Sequence, residues 1–173
     1  ISACGGQGGH SSWSGSGGGG RIAVHVSQGN GCGLVSMAAT AGTNASERGA
    51  AGTIYIATAG ETYGRVFVDN SNLVSSVVTH LPGCTNGVAG ELRQCILIVT
   101  NRGHVMLSSD ERLRDILIYT NSFMTLSNRF LYVRAKEHRL DNRFVYGPGA
   151  TNRIDQYSHI IWEGSGGTVF VLR

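Results

Sequence analysis

The chain has 173 residues, of which 26 are Gly and 2 are Pro; 14% are charged, 41% are hydrophobic, and the formal net charge is +3. That is enough chain for one domain with a buried core, and it is too apolar for a disordered tail. Glycine lacks the every-third-residue period of collagen, and no apolar run approaches the ~20 residues that a membrane-crossing helix needs.

The sequence opens on Ile1 with neither a Met nor a secretory leader, as expected of a processed protein or of a segment from a longer one. The positive excess falls wholly in residues 91–173, where Arg is interleaved with acids, as in Asp110-Glu111-Arg112-Leu113-Arg114-Asp115. Nucleic-acid binding calls for a dense basic stripe with aromatics beside it, so no nucleic-acid partner is expected, and no insertion into a membrane.

Residues 1–20 form a Gly-rich arm, with Gly5-Gly6-Gln7-Gly8-Gly9 and Gly17-Gly18-Gly19-Gly20. Such composition reads as a linker, although Cys4 and Trp13 within it argue for partial packing. Residues 21–173 read as a single β domain. Short β-branched or aromatic runs bounded by Gly, Asn, Ser or Asp begin at Arg21, Gly33, Gly52 and Gly64. They continue at Ile96, His104, Ile116, Phe123, Phe130, His159 and Thr168. No stretch keeps a helical period for three turns.

Cys4, Cys32, Cys84 and Cys95 allow three pairings. The expected pair Cys84–Cys95 closes a loop carrying Asn86-Gly87, and Cys4–Cys32 ties down the Gly-rich start. A loop of that size would gain about 3 kcal/mol from closure in the chain-entropy model. Asn44-Ala45-Ser46 is the one N-glycosylation sequon, which makes Asn44 the expected glycan acceptor. Both features agree with a secreted or cell-surface setting.

An internal repeat sets the architecture. Glu91 to Asn101 aligns with Glu111 to Asn121 at an offset of 20, with Glu, Ile, Leu, Ile, Thr and Asn coincident. More than one strand per period of about 20 predicts a solenoid, each turn stacked in parallel on the one before. Asn101 and Asn121 fall at its corners, where Asn tolerates the left-handed conformation. The alignment places Glu91 beside Glu111 in a solvated charge ladder. The fold expected is all-β, a right-handed parallel β-helix with a Gly-rich arm; an antiparallel β-sandwich is the alternative.

Three motifs in order, Gly18-Gly19-Gly20-Arg21-Ile22-Ala23, Ala51-Gly52-Thr53-Ile54-Tyr55 and Val68-Asp69-Asn70, resemble the Gly-rich repeat regions of very large secreted or surface proteins. Those regions are similar to right-handed parallel β-helices of the pectin-lyase type. The likeness covers about residues 15–70. It implies an extracellular structural or adhesive protein and carries over no catalytic residue.

No His pair has metal-ligand spacing, no nucleophile elbow precedes a helix, and no phosphate-binding loop is present. No catalytic residue, metal or cofactor is therefore expected. The function expected is a non-catalytic extracellular structural element of a filament. It would self-associate, or continue a longer chain, through Gly17, Gly18, Gly19 and Gly20 and through the last strand with Val169, Phe170 and Val171. The alternative is a carbohydrate-binding or polysaccharide-cleaving β-helix, with Asp110, Arg112, Arg114 and Asp115 as its saccharide site and a glycan as partner.

Overall fold

A computed structural model describes residues 1–10, 12–29, 33, 35–43, 45–81, 91–119, 121–134, 159–163 and 169–172. The protein is all-β: among the described residues there is no α-helix, only a short 3₁₀ turn at Glu91–Gln94. The strands in chain order are β1 (Arg21–Val26), β2 (Thr53–Thr58), β3 (Gly64–Asp69), β4 (Thr79–His80), β5 (Cys95–Thr100) and β6 (His104–Met106). Then come β7 (Glu111–Leu113), β8 (Asp115–Ile118), β9 (Phe123–Thr125), β10 (Phe130–Val133), β11 (His159–Glu163) and β12 (Val169–Leu172).

They lie in three sheets with orders β1-β2-β3-β5-β8, β4-β6-β9 and β12-β11-β10-β7. From β5 to β10 the chain visits the sheets in rotation. β5, β6 and β7 each open a place in one sheet, and β8, β9 and β10 then lie parallel beside them in the same order. Among the described residues, seven of the nine strand pairs are parallel. An antiparallel sandwich is thereby excluded as the organising pattern.

Two connections do reverse direction, β2 to β3 and β11 to β12. Winding in one sense throughout, as expected from the repeat, therefore fails at these points. The physical reason is connection length. Residues 59–63 link β2 to β3, and a parallel crossover needs a dozen or more residues. The link closes as a turn, with Glu61 N–H donating to the Thr58 carbonyl at 3.1 Å.

The stacking register also differs from the repeat. Leu97 lies beside Ile116 and Ile98 beside Leu117, an offset of 19, while Leu113 lies beside Val133 at 20. Matching identical residues at 20 in the first sheet would set half-buried Ile96 beside Ile116, which is 0% exposed. The 19-residue register aligns the inward positions instead, joining Val66, Leu97 and Ile116 into one buried row. A slip of one residue would turn every side chain of β8 to the other face. The main core contains these three with Val68, Val99, Val105 and Leu131, all fully or nearly fully buried.

The first sheet has a second apolar face under its N-terminal strands. Ile22, Ile54 and Ala39 form a separate cluster there, with Phe67 and Met37 packed against it. The run expected as a strand from Gly33 contributes only a bridge at Ala38 and otherwise serves as cover for this cluster.

The arm is not a free linker. Ala3, Gly5 and Gly8 donate N–H to the carbonyls of Ala38, Thr40 and Thr43, and Gly19 donates to Ala50. Within the arm, Gly17 donates to Gly6 and Gly20 to Ala3. The described residues of 1–20 and 36–52 are thus stacked on one another through backbone hydrogen bonds. Gly52 and Gly42 are required by close approach: a Cβ on Gly52 would lie 1.8 Å from the Gly20 oxygen, and one on Gly42 would lie 2.1 Å from that of Gly6.

Candidate functional site

The four residues expected to form a saccharide site occupy a stretch where the chain passes from the third sheet to the first. Asp110 precedes β7, Arg112 is at its centre, Arg114 follows it, and Asp115 starts β8. Each is engaged with the protein itself. The Asp110 carboxylate accepts the Phe130 N–H at 2.9 Å, bridging to the neighbouring strand. The Arg112 guanidinium lies 5.0 Å from the ring centre of Tyr132, its partner in the β7–β10 ladder. Arg114 stacks 4.5 Å from the centre of Tyr63 and donates to the Arg134 carbonyl at 3.0 Å.

Asp115 is buried, and its Oδ1 accepts the Ile116 N–H at 2.8 Å. Asp110 flanks β7 and Asp115 starts β8, strands that belong to different sheets. What the sequence brings together here is a pair of cation–π stacks and two carboxylates bonded to backbone: Asp110, Arg112 and Arg114 reach other segments of the chain, and the Asp115 bond stays within its own strand.

The sequence reading overlooked the most unusual polar group. Glu111 was expected in a solvated ladder but is only 2% exposed. Its Oε1 accepts from Ser109 Oγ at 3.1 Å, and its Oε2 is buried without a hydrogen-bond partner. Burial is the main cause that raises its pKa, and the nearby Asp110 adds to it; bonds from Ser109 and the Arg112 backbone act the other way. The signal was present in the alternation. Leu113 faces inward, so Glu111, two residues earlier on the same strand, must face inward too.

No disulfide joins Cys4 to Cys95, and the partners expected for them, Cys32 and Cys84, lie outside the described residues. Residue 95 takes an inward position of β5 and packs in the core with Leu92 and Leu97, and burial raises its pKa. Cys4 is exposed, and its sulfur accepts from the Ser2 and Thr40 hydroxyls at 3.4 Å each. Those bonds, Ser2 first, lower its pKa.

Asn44 lies outside the described residues, as do the side chains of Val169, Phe170 and Val171. The backbone of those three pairs antiparallel with β11. Gly17, Gly19 and Gly20 spend their N–H groups within the chain, as described above, and Gly18 is exposed.

His25 and His104 sit in ladders. His104 Nε2 lies 2.9 Å from Thr125 Oγ1 on the next strand, and His25 packs on Tyr55 with ring centres 5.3 Å apart. Among the described residues no three His, Cys, Asp or Glu are grouped to hold a metal ion, and no helix is long and apolar enough to cross a membrane. A recess of ≈ 230 Å³ opens over the second cluster, lined by Val35, Met37, Ile54, Ile56 and Phe67 with Asp69 at its rim. Large apolar groups also stand exposed, above all Trp13 at 81%. No family model, curated protein or solved structure matches the chain.

Proposed function

We propose that the chain is a right-handed parallel β-helix that serves as a non-catalytic structural element at the cell exterior, associating with further copies through its strand edges. The rotation of β5-β6-β7 and β8-β9-β10 through the same three sheets supports the helical reading. The right-handed sense follows the general rule for parallel crossovers. The observation that carries the structural role is the stack itself. Parallel ladders and glycine layers consume the polar backbone inside, and a sheet edge remains at β1. Asp110, Arg112 and Arg114 add side-chain contacts from β7 and its flanks to other segments of the chain. The exterior setting rests on the Asn44 sequon and the resemblance of the Gly-rich motifs.

Light scattering and electron microscopy of the pure chain test this reading. Mass that grows with concentration, in elongated particles, is the expected result; a monomer at every concentration overturns it. A second reading has one observation in its favour. Trp13, 81% exposed with His10 edge-on at 5.2 Å, offers an aromatic face of the kind on which a sugar ring stacks. Binding on a glycan array that disappears in Trp13→Ala would replace the structural reading with carbohydrate recognition.

A further inference from the structure

The five-stranded sheet ends at β1. Its ladder with β2 is bounded by Thr53 N–H donating to the Gly20 carbonyl at 3.1 Å and Ala59 N–H donating to the Val26 carbonyl at 2.8 Å. In a parallel ladder, alternate residues of a strand bond to the same neighbour. Even-numbered residues of β1 therefore bond to β2. Arg21, Ala23 and His25 turn their N–H and C=O groups to the open side, and all three residues are exposed. Native edges are usually blunted by Lys, Pro, a bulge or short length. β1 runs six residues without any of these, and its single charge, Arg21, stands at the end.

We propose that β1 is a homodimer interface, in which two copies pair antiparallel about a two-fold axis at Ala23 and continue the sheet from one chain into the other. The proposal rests on the self-associating reading above and names its contact. A second copy fits because β1 has the same pattern on both sides of Ala23, with exposed Arg21 and His25 flanking apolar Ile22 and Val24. The axis sets Arg21 opposite His25 of the partner subunit and Ile22 opposite Val24 of the partner subunit. Arg21, Ala23 and His25 then occupy hydrogen-bonded positions of the antiparallel ladder, with two N–H···O=C bonds for each opposed pair.

Face parity is preserved as well. Ile22 and Val24 already continue the apolar rows of Ile54 and Ile56. Across the axis the same rows run on into the partner. A slip of one residue would set these apolar side chains against the opposite face. A pairing of this kind is an isologous contact, and such contacts give closed dimers. Growth beyond the dimer would use the other end of each copy.

Sedimentation equilibrium of the full chain tests the interface with three variants. Ala23→Pro removes an N–H that β2 does not use and blocks the edge. It should abolish the dimer while leaving the thermal midpoint of the monomer unchanged. His25→Glu places a carboxylate opposite each Arg21, and His25→Arg places a like charge there. Both lose the contact with Tyr55, so they are compared with each other. Two such cross-strand pairs should move the dimer dissociation constant roughly two- to thirtyfold, tighter for Glu and weaker for Arg.

Loss of the dimer in Ala23→Pro, with opposite shifts in the two His25 variants, supports the proposal. A wild-type chain that associates, with equal constants in both His25 variants, overturns this interface and leaves the self-associating reading standing. That comparison decides even where Ala23→Pro fails to fold. A wild-type chain that is monomeric throughout overturns both.

Discussion

Asn101 donates its side-chain amide to the Asp69 carboxylate at 2.8 Å, joining two corners of the chain that are stacked on each other. Both corners turn through the left-handed region, with φ 48° and 61° at Ser71 and Asn72 and 49° and 63° at Asn101 and Arg102. Asp69 also accepts the Ser71 N–H at 2.6 Å, and the Asn72 N–H reaches the Asn101 carbonyl at 2.9 Å. One carboxylate thus organises its own corner and holds the next. Asp69→Ala should cost about 2 kcal/mol, the scale of a charge-assisted hydrogen bond. Asn101→Val should cost more than Asn101→Gly, because a β-branched residue resists positive φ. Urea unfolding midpoints of the three variants check the order.

The glycine layers give a sharper contrast. Gly42→Ala puts a methyl 2.1 Å from the Gly6 oxygen, whereas a methyl at Gly6 meets nothing within 4 Å. Neither residue has a positive φ. Gly42→Ala should therefore part the two layers and lower the thermal midpoint clearly. Gly6→Ala should be neutral, or stabilising by about 0.4–1 kcal/mol through the unfolded chain. Equal midpoints for the two variants would contradict the close backbone stacking.

Glu111 predicts an unusual pH dependence. Its pKa is raised on folding, so over the range between the ordinary value of 4.5 and the raised one the native state binds more proton than the unfolded state. Stability from this group is full below the ordinary value and is lost as pH rises through the folded value. Glu111→Gln keeps the shape and cannot ionise. It should be more stable than wild type at neutral pH, and the difference should shrink on acidification. Unfolding curves taken across this range read the slope directly.

The two described thiols should separate in reactivity. Cys4 is exposed with a lowered pKa, while Cys95 is buried with a raised one. Thiolate is the nucleophile, so Cys4 should alkylate with iodoacetamide at a pH below that of an ordinary thiol. Cys95 should react only on unfolding. Peptide mapping after timed alkylation distinguishes them, and faster labelling of Cys95 would contradict the placement of β5.

Most strands were legible because each is a short β-branched or aromatic run between turn residues. The run at Phe130 agrees with β10 end for end, and that at Arg21 with β1. β4 and β7 were not legible. Each has only two or three residues, and β7 carries Glu111 and Arg112 where apolar residues mark a strand. The corners at Asn101 and Asn121 were legible because few side chains tolerate positive φ, and both residues adopt it. The candidate site was legible only as a list of charges. Nothing in Asp110-Glu111-Arg112 by itself says that the middle residue points into the core.

The amino-acid sequence alone determined that the chain is all-β, that its strands are short, and that Asn and Gly mark its bends. These are local properties, set by side-chain branching and by allowed φ. Tertiary structure decided what depends on the partner strand: the register of 19 rather than 20 beside β5, the reversal between β2 and β3, and the burial of Glu111. Register is chosen by which faces meet in the core, and face is a relation between strands that no single segment contains. The same reason makes the open edge of β1 visible only once β2 has taken the other side.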